Sequence, residues 1–239
     1  MILSKESLKK RGFTLAEVLI TLGIIGVVAA MTLPALVNNN KNKELETRFR
    51  KSYSLLSQVL QRVVVYDYGG VYQPSSVNEL VNSIQKYYKK SSTCINGQQC
   101  SSSIFPVKDY SNDAPASFLQ STYKTFIGKT PDYRFNDGIM AAVDGSFIFF
   151  DYAQEGEITY GSYMIAIDVN GWKSKPNRYG HDFFVFQLGK NGALIPMGRE
   201  GTYFEEDEYC SLTSNSAQNG YGCTARALSD RDYFKKLPK

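Results

Sequence analysis

The 239-residue chain is short of the side chains on which most catalysis rests. It has one histidine, His181, which excludes cages built from several imidazoles and leaves acid–base chemistry few groups that titrate near neutral pH. No Gly-x-Ser-x-Gly, His-Glu-x-x-His or phosphate-binding glycine loop occurs, so those hydrolase, zinc-protease and nucleotide motifs are missing. Aspartates are numerous, but no motif marks two of them as a glycosidase pair. An excess of one charge sign is missing too: 27 Lys and Arg against 23 Asp and Glu leave +4. Lys5, Lys9, Lys10 and Arg11 against Glu6 place +3 of it in the first twelve residues and leave +1 for the rest. That balance carries no electrostatic footprint for nucleic acid. With 43% hydrophobic and 21% charged residues, the disordered, collagen-like and low-complexity classes are excluded as well. The length suits one large domain, or a smaller one with an appendage.

What is present begins abruptly at Gly12. From Phe13 to Val37 the only charge is Glu17. Twenty-five helical residues span roughly 37 Å, enough for a hydrocarbon core of about 30 Å. The basic residues ahead of the run hold the N-terminus in the cytoplasm, so the remainder is exported. Three readings fit such a segment: a secretory signal peptide cut after Val28-Ala29-Ala30, a plain signal anchor, or a segment whose acid has a purpose. A carboxylate deep in a membrane helix costs about 2.5–3.5 kcal/mol, and such residues usually have a function. A cut after Gly12 would leave Phe13 as a new N-terminus, its amine near the depth of Glu17.

Lys9-Lys10-Arg11-Gly12-Phe13-Thr14-Leu15-Ala16-Glu17 resembles the leader and cleavage site of type IV pilins and type II secretion pseudopilins. The resemblance implies cutting after Gly12 by prepilin peptidase, methylation of the Phe13 amine, and a Glu17 that pairs with the amino terminus of a neighbouring subunit. It implies a structural protein and not an enzyme. Its partners are then copies of itself or other pilin-like subunits, the peptidase and the inner-membrane assembly platform, with no nucleic acid. Its location is the bacterial inner membrane as a single pass with the head outside the cytoplasm, and afterwards the pilus or pseudopilus. Pro34 falls where that family often places a helix-kinking proline. The alternative from another class is a soluble secreted binding protein or enzyme released after Ala30.

Beyond Pro34, Leu45, Phe49, Leu56, Leu60 and Val63 recur at helical intervals beside Ser52, Tyr53 and Val59, while Lys43, Glu44, Glu46, Arg48, Arg50 and Lys51 fill the other faces. This amphipathic stretch predicts that one helix runs from Phe13 to about Tyr66, ended by Asp67, Gly69 and Gly70. Ser76 and Glu79 form a capping-box pattern that opens a helix through Leu80, Val81, Ile84 and Tyr87-Tyr88, and Pro115 opens another over 116–126. Strand signals follow at 139–143, 146–150, 163–167, 183–188 and 193–197, the first two joined through the Asp144-Gly145 turn. The fold class is therefore α+β: a long helical spine against an antiparallel meander that buries one face. The expected divisions are a leader over 1–12, a transmembrane and assembly helix over 13–37, the amphipathic half of the spine over 38–66, and an exported head over 67–239.

Cys94 with Cys100, and Cys210 with Cys223, each bracket a local loop, and the expectation is two disulfides made in an oxidising compartment. Four cysteines allow three pairings, and zinc is the alternative, although neither spacing suits a zinc knuckle.

Residues 168–182, between the third and fourth of these strands, make the densest polar cluster. Asp168 and Asn170, followed by the turn-permitting Gly171, can aim oxygens at one centre, and Asp182 can close it. Oxygen ligands of this kind suit Ca²⁺. The loop is no EF-hand, since Gly171 comes too early and Tyr179 stands where the bidentate Glu belongs. The order Asp-x-Asn-Gly, then Pro176-Asn177, Gly180 and Asp182, resembles a loop of pilin-like secretion proteins, some of which bind calcium in a β-region loop. The resemblance adds weight without assigning ligands; the candidates are Asp168, Asn170, Asn177 and Asp182. The competing view makes Asp168 and Asn170 turn-forming residues, with Asp182 capping or pairing with Arg178. His181 is expected to be an exposed turn residue, Glu205-Glu206-Asp207-Glu208 a solvated acidic stretch, Trp172 and the tyrosines packing residues, and Arg231, Lys235, Lys236 and Lys239 a frayed basic tail.

Overall fold

A computed structural model describes residues 13–72, 74–95, 114–132, 134–152 and 163–238. Two compact units divide the chain, one through Lys41 and one from Asn42 onward. The first described unit is wholly helical from Leu15. Its helix, α1 (Leu15–Arg62), passes through Pro34 and continues into a π turn at Val63–Asp67. An 18-residue window of the helix has a mean hydropathy of 2.3 with none of it buried, so it is long and apolar enough to cross a membrane. Thr21 and Thr32 return their hydroxyls to the Glu17, Val18 and Val28 carbonyls, leaving no hydroxyl hydrogen for an apolar surrounding to strand.

In the second unit, the part of α1 from Leu45 buries the expected stripe. Phe49, Leu56, Leu60 and Val63 are fully enclosed, and Ser52 goes under with them. The Phe49 ring lies 4.0 Å from Phe184 and 5.9 Å from Phe234. Ion pairs Arg48–Glu44 and Arg50–Glu46, each four residues apart, occupy other faces. Gly69 and Gly70, both at positive φ, reverse the chain, and the Gly70 amide returns to the Val64 carbonyl. Helix α2 (Val77–Tyr87) starts on Ser76, whose hydroxyl caps the Glu79 amide. The Glu79 carboxylate reaches Ser75, not Ser76, so the reciprocal half of the capping box moves back one residue.

The sheet is a six-stranded antiparallel meander in chain order: β1 (Lys90–Ile95), β2 (Gly138–Ala142), β3 (Phe147–Tyr152), β4 (Tyr163–Asp168), β5 (Phe183–Leu188) and β6 (Leu194–Pro196). Five of these are the strands expected from sequence, β5 with the same limits. β1 is an addition, an edge strand carrying Lys90, Ser92 and Thr93. Between β2 and β3 the turn is one residue longer than a two-residue hairpin. The Ala142 amide bonds to the Ser146 carbonyl, with Val143, Asp144 and the left-handed Gly145 between them. Helix α3 spans Ala114–Thr122, two residues earlier than expected at its start.

One face of the sheet is buried against the spine helix as expected, and the opposite face is buried as well. Met140, Ile148, Phe150, Ile165, Ile167, Phe184 and Phe186 pack with α1 and α2, while Ile139, Phe149, Met164, Ala166, Phe183 and Val185 pack into a second core with Tyr123, Phe135, Tyr179 and Tyr221. Both sets alternate along the same strands, so β2 to β5 read as nearly continuous apolar runs, interrupted at Asp151 and Gln187 and closed by Asp168. The second core lies under α3 and under a C-terminal lobe that includes the short helix α4 (Glu206–Tyr209), while α5 (Thr224–Ser229) turns Ala227 into the first core. The basic tail is not frayed over its described part. Tyr233 and Phe234 are buried, the Tyr233 hydroxyl donates to the Gly180 carbonyl, and Lys235 pairs with Asp232. Lys239 lies outside the described residues.

Candidate functional site

Two places hold the residues singled out from sequence. At the amino-terminal end, Gly12 lies outside the described residues. Phe13 is exposed, and Thr14 precedes the first turn of α1. The Thr14 amide and hydroxyl both donate to Oε2 of Glu17, at 2.8 Å each, and the Glu17 amide returns to the Thr14 hydroxyl at 3.3 Å. This is a capping box on the first turn, legible as Thr-x-x-Glu. It satisfies amides that a helix start otherwise leaves bare. Glu17 is thus held within its own chain, on a helix whose neighbouring Leu15, Leu19 and Ile20 are all exposed.

The second place is the loop from β4 to β5. Paired strands bring its two ends together, since Asp168 lies opposite Phe183 and the Val169 amide bonds to the Asp182 carbonyl. Asp168 and Asp182 are both fully buried, and among the described residues neither has an ion-pair partner. Asp168 Oδ1 accepts from the amides of Asn170 and Gly171, at 3.2 and 2.8 Å, so the expected turn is present. Gly171 is at φ 79°, where an added Cβ would meet the Gly145 carbonyl oxygen at 2.5 Å. Asp182 accepts from the amides of Asn177 and Arg178, at 2.7 Å each; it caps the loop by main-chain bonds and makes no pair with the Arg178 guanidinium.

Asn170 stands between the acids, its side-chain amide 3.0 Å from Asp168 Oδ1 and 3.2 Å from Asp182 Oδ2. With nitrogen inward it donates to both carboxylates. With oxygen inward, three oxygens face one another while its nitrogen donates to the Ser174 and Lys175 carbonyls, at 3.4 and 3.3 Å. Asn177, at φ 51°, donates its side-chain nitrogen to the Trp172 carbonyl at 2.7 Å, and its Oδ1 is buried without a partner. Asp168, Asn170 and Asp182 therefore converge, and Asn177 abuts them through its amide.

The electrostatics are those of two buried acids with no ion-pair partner among the described residues. Burial pushes the Asp168 carboxyl up to about 6 against the bonds from Tyr123, Gly171 and Asn170. Burial, and then the Asp168 charge, raise Asp182 well above the usual carboxylate range. Two buried acids without a cation are costly unless a proton or a positive ion joins them. Two carboxylates beside the unpartnered Asn177 oxygen are donors of the kind a hard divalent cation takes, and Asn170 adds another oxygen only when its amide is turned with the nitrogen outward. Among the described residues no three His, Cys, Asp or Glu side chains gather at one point, so amide oxygens would have to complete any such site.

His181 corrects its expectation. It is buried rather than exposed, with Nε2 3.3 Å from the Phe126 carbonyl oxygen, and burial lowers its pKa to about 4. It packs edge-on to Phe126 and serves the core. Tyr123 was not singled out from sequence; its hydroxyl donates to Asp168 Oδ2 at 2.5 Å across 45 residues of chain. Cys210 and Cys223 are bridged, while the expected Cys94–Cys100 bridge lies outside the described residues because Cys100 does.

Residues 7–33 match the model of the prokaryotic N-terminal methylation motif. No curated protein and no solved structure is matched by the chain. With that motif leading into an exposed apolar helix and an α+β unit, the chain carries the signature of type IV pilins and pseudopilins and fits a subunit anchored in the inner membrane.

Proposed function

We propose that this chain is a structural, non-enzymatic subunit of a type II secretion pseudopilus or a type IV pilus. Prepilin peptidase cuts after Gly12, and the Phe13 amine is methylated. Residues 13–37 anchor the chain, 38–66 complete the spine, and 67–239 form the exported head. Assembly with copies of itself or other pilin-like subunits brings a neighbour's amino terminus to Glu17. The observation that carries this reading is the apolar run that begins at Phe13, bears Glu17 as its lone charge up to Val37, and overlaps the matched motif over residues 13–33. In lipid that carboxylate calls for a cationic partner, and a neighbour's amine at similar depth supplies one. Mass spectrometry of the mature N-terminus tests it. A methylated Phe13 is expected; a chain starting at Met31 would make this a secreted soluble protein and end the proposal.

The same reading gives the loop between β4 and β5 a structural Ca²⁺, held by Asp168, Asn170, Asp182 and the orphaned oxygen of Asn177. When bound, the ion supplies positive charge to two carboxylates that have none. Asp168 and Asp182 bind it, and the turn at Gly171 with the amides of Asn177 and Arg178 keeps their oxygens in place. Millimolar Ca²⁺ is expected to raise the melting temperature of the EGTA-treated protein. An unchanged transition removes the ion from the reading and leaves the filament role untouched.

A further inference from the structure

Tyr123 follows directly on α3, and its ring is fully buried. Its phenol stays protonated, since burial and then the Asp168 charge lift it well above its ordinary range; the hydroxyl is a donor committed to Asp168 Oδ2. The ring is fixed from several sides. The Tyr123 amide bonds to the Leu119 carbonyl, the Lys124 amide to the Asn177 carbonyl, and the Tyr179 amide to the Lys124 carbonyl, each at 2.9 Å. Phe183 stands 5.1 Å away and Phe149 6.1 Å.

This arrangement divides the work of the Asp168 carboxylate. Tyr123 takes Oδ2, so rotation of the group is blocked and Oδ1 stays on the side of Asn170 and Asp182. Partners behind a ligand fix its orientation, and losing one typically weakens metal affinity about 10- to 100-fold. We propose that Tyr123 is a positioning residue for a divalent cation held at Asp168 and Asp182, so that the ion and the end of α3 order together. The inference rests on the cation reading of the loop.

The test uses the full chain in detergent, freed of metal with EGTA and titrated with Ca²⁺ by calorimetry. Tyr123→Phe is expected to bind Ca²⁺ about 10- to 100-fold more weakly, and its melting temperature is expected to fall more in Ca²⁺ than in EGTA. Wild-type affinity in Tyr123→Phe, or equal loss of melting temperature with and without Ca²⁺, overturns the inference and leaves the cation reading standing. No Ca²⁺ uptake by the unmodified chain overturns the cation reading, and the inference falls with it. Should Tyr123→Phe fail to fold, hydrogen exchange on the unmodified chain decides. Ca²⁺-induced protection at 119–124 together with 168–182 supports the inference, and protection confined to 168–182 overturns it.

Discussion

Thr14 donates twice to one oxygen of Glu17, so the acid of the first turn is already half-satisfied inside its own chain. Such a carboxylate can enter the membrane before any partner arrives and still have lone pairs for an incoming amine.

Glu17→Ala is therefore expected to leave cleavage after Gly12 intact while reducing filament yield several-fold. Immunoblots of processed protein set against sheared filaments give both readings. Unchanged filament yield would remove Glu17 from assembly.

The Cys210–Cys223 bridge closes a short loop that is also tied down by the Asn219 side chain on the Ser211 and Ser214 carbonyls, by main-chain bonds from Phe126 and Asp132, and by the buried Tyr221. Replacing both cysteines with serine is expected to cost about 2–4 kcal/mol, read from denaturant midpoints. The loss should exceed the loop term alone, because Cys210 and Cys223 are also core side chains.

Gly198 sits at φ 101°, and a Cβ there would come within 1.9 Å of the Gly222 carbonyl oxygen. Backbone meets backbone at this point, so no rotamer change relieves it. Gly198→Ala is expected to destabilise the C-terminal lobe by at least about 2 kcal/mol, whereas Gly201→Ala, strained but open in space, costs less.

Asp151 provides a pH signature apart from the loop. Its carboxylate accepts from the Phe135 and Tyr152 amides, at 2.7 and 2.6 Å, and burial, with help from Asp137, pushes it up from 3.8 to about 7. The folded chain thus holds this proton more tightly than the unfolded one. Its contribution is complete below about pH 4 and is lost as pH rises through 7, on the order of 2–4 kcal/mol. Asp151→Asn is expected to flatten that decline, measured as denaturant midpoints from pH 4.5 to 8. An identical slope in the variant would refute the assignment.

The parts of this fold that were legible in sequence are those where local pattern and final environment agree. Phe183–Phe186 is apolar because both faces of β5 are covered, and Leu45, Phe49 and Leu56 keep helical spacing because one stripe of α1 is buried. β1 escaped because a polar edge strand looks like a loop, its pairing to β2 being the work of distant residues. The second core escaped for a related reason: Tyr123, Phe135, Tyr179 and Tyr221 come from loops and short helices without a period. In the candidate site, Asp168 and Asp182 could be foreseen because they flank adjacent strands. The burial of His181 and the reach of Tyr123 depend on segments far away in the chain.

A sheet sandwiched between two cores has no idle side. Amino-acid replacement in β2 to β5 should thus be nearly all-or-none, with harmless drift restricted to the connecting segments. Whatever sets one such molecule apart in what it touches must be written in those connections rather than on the strands.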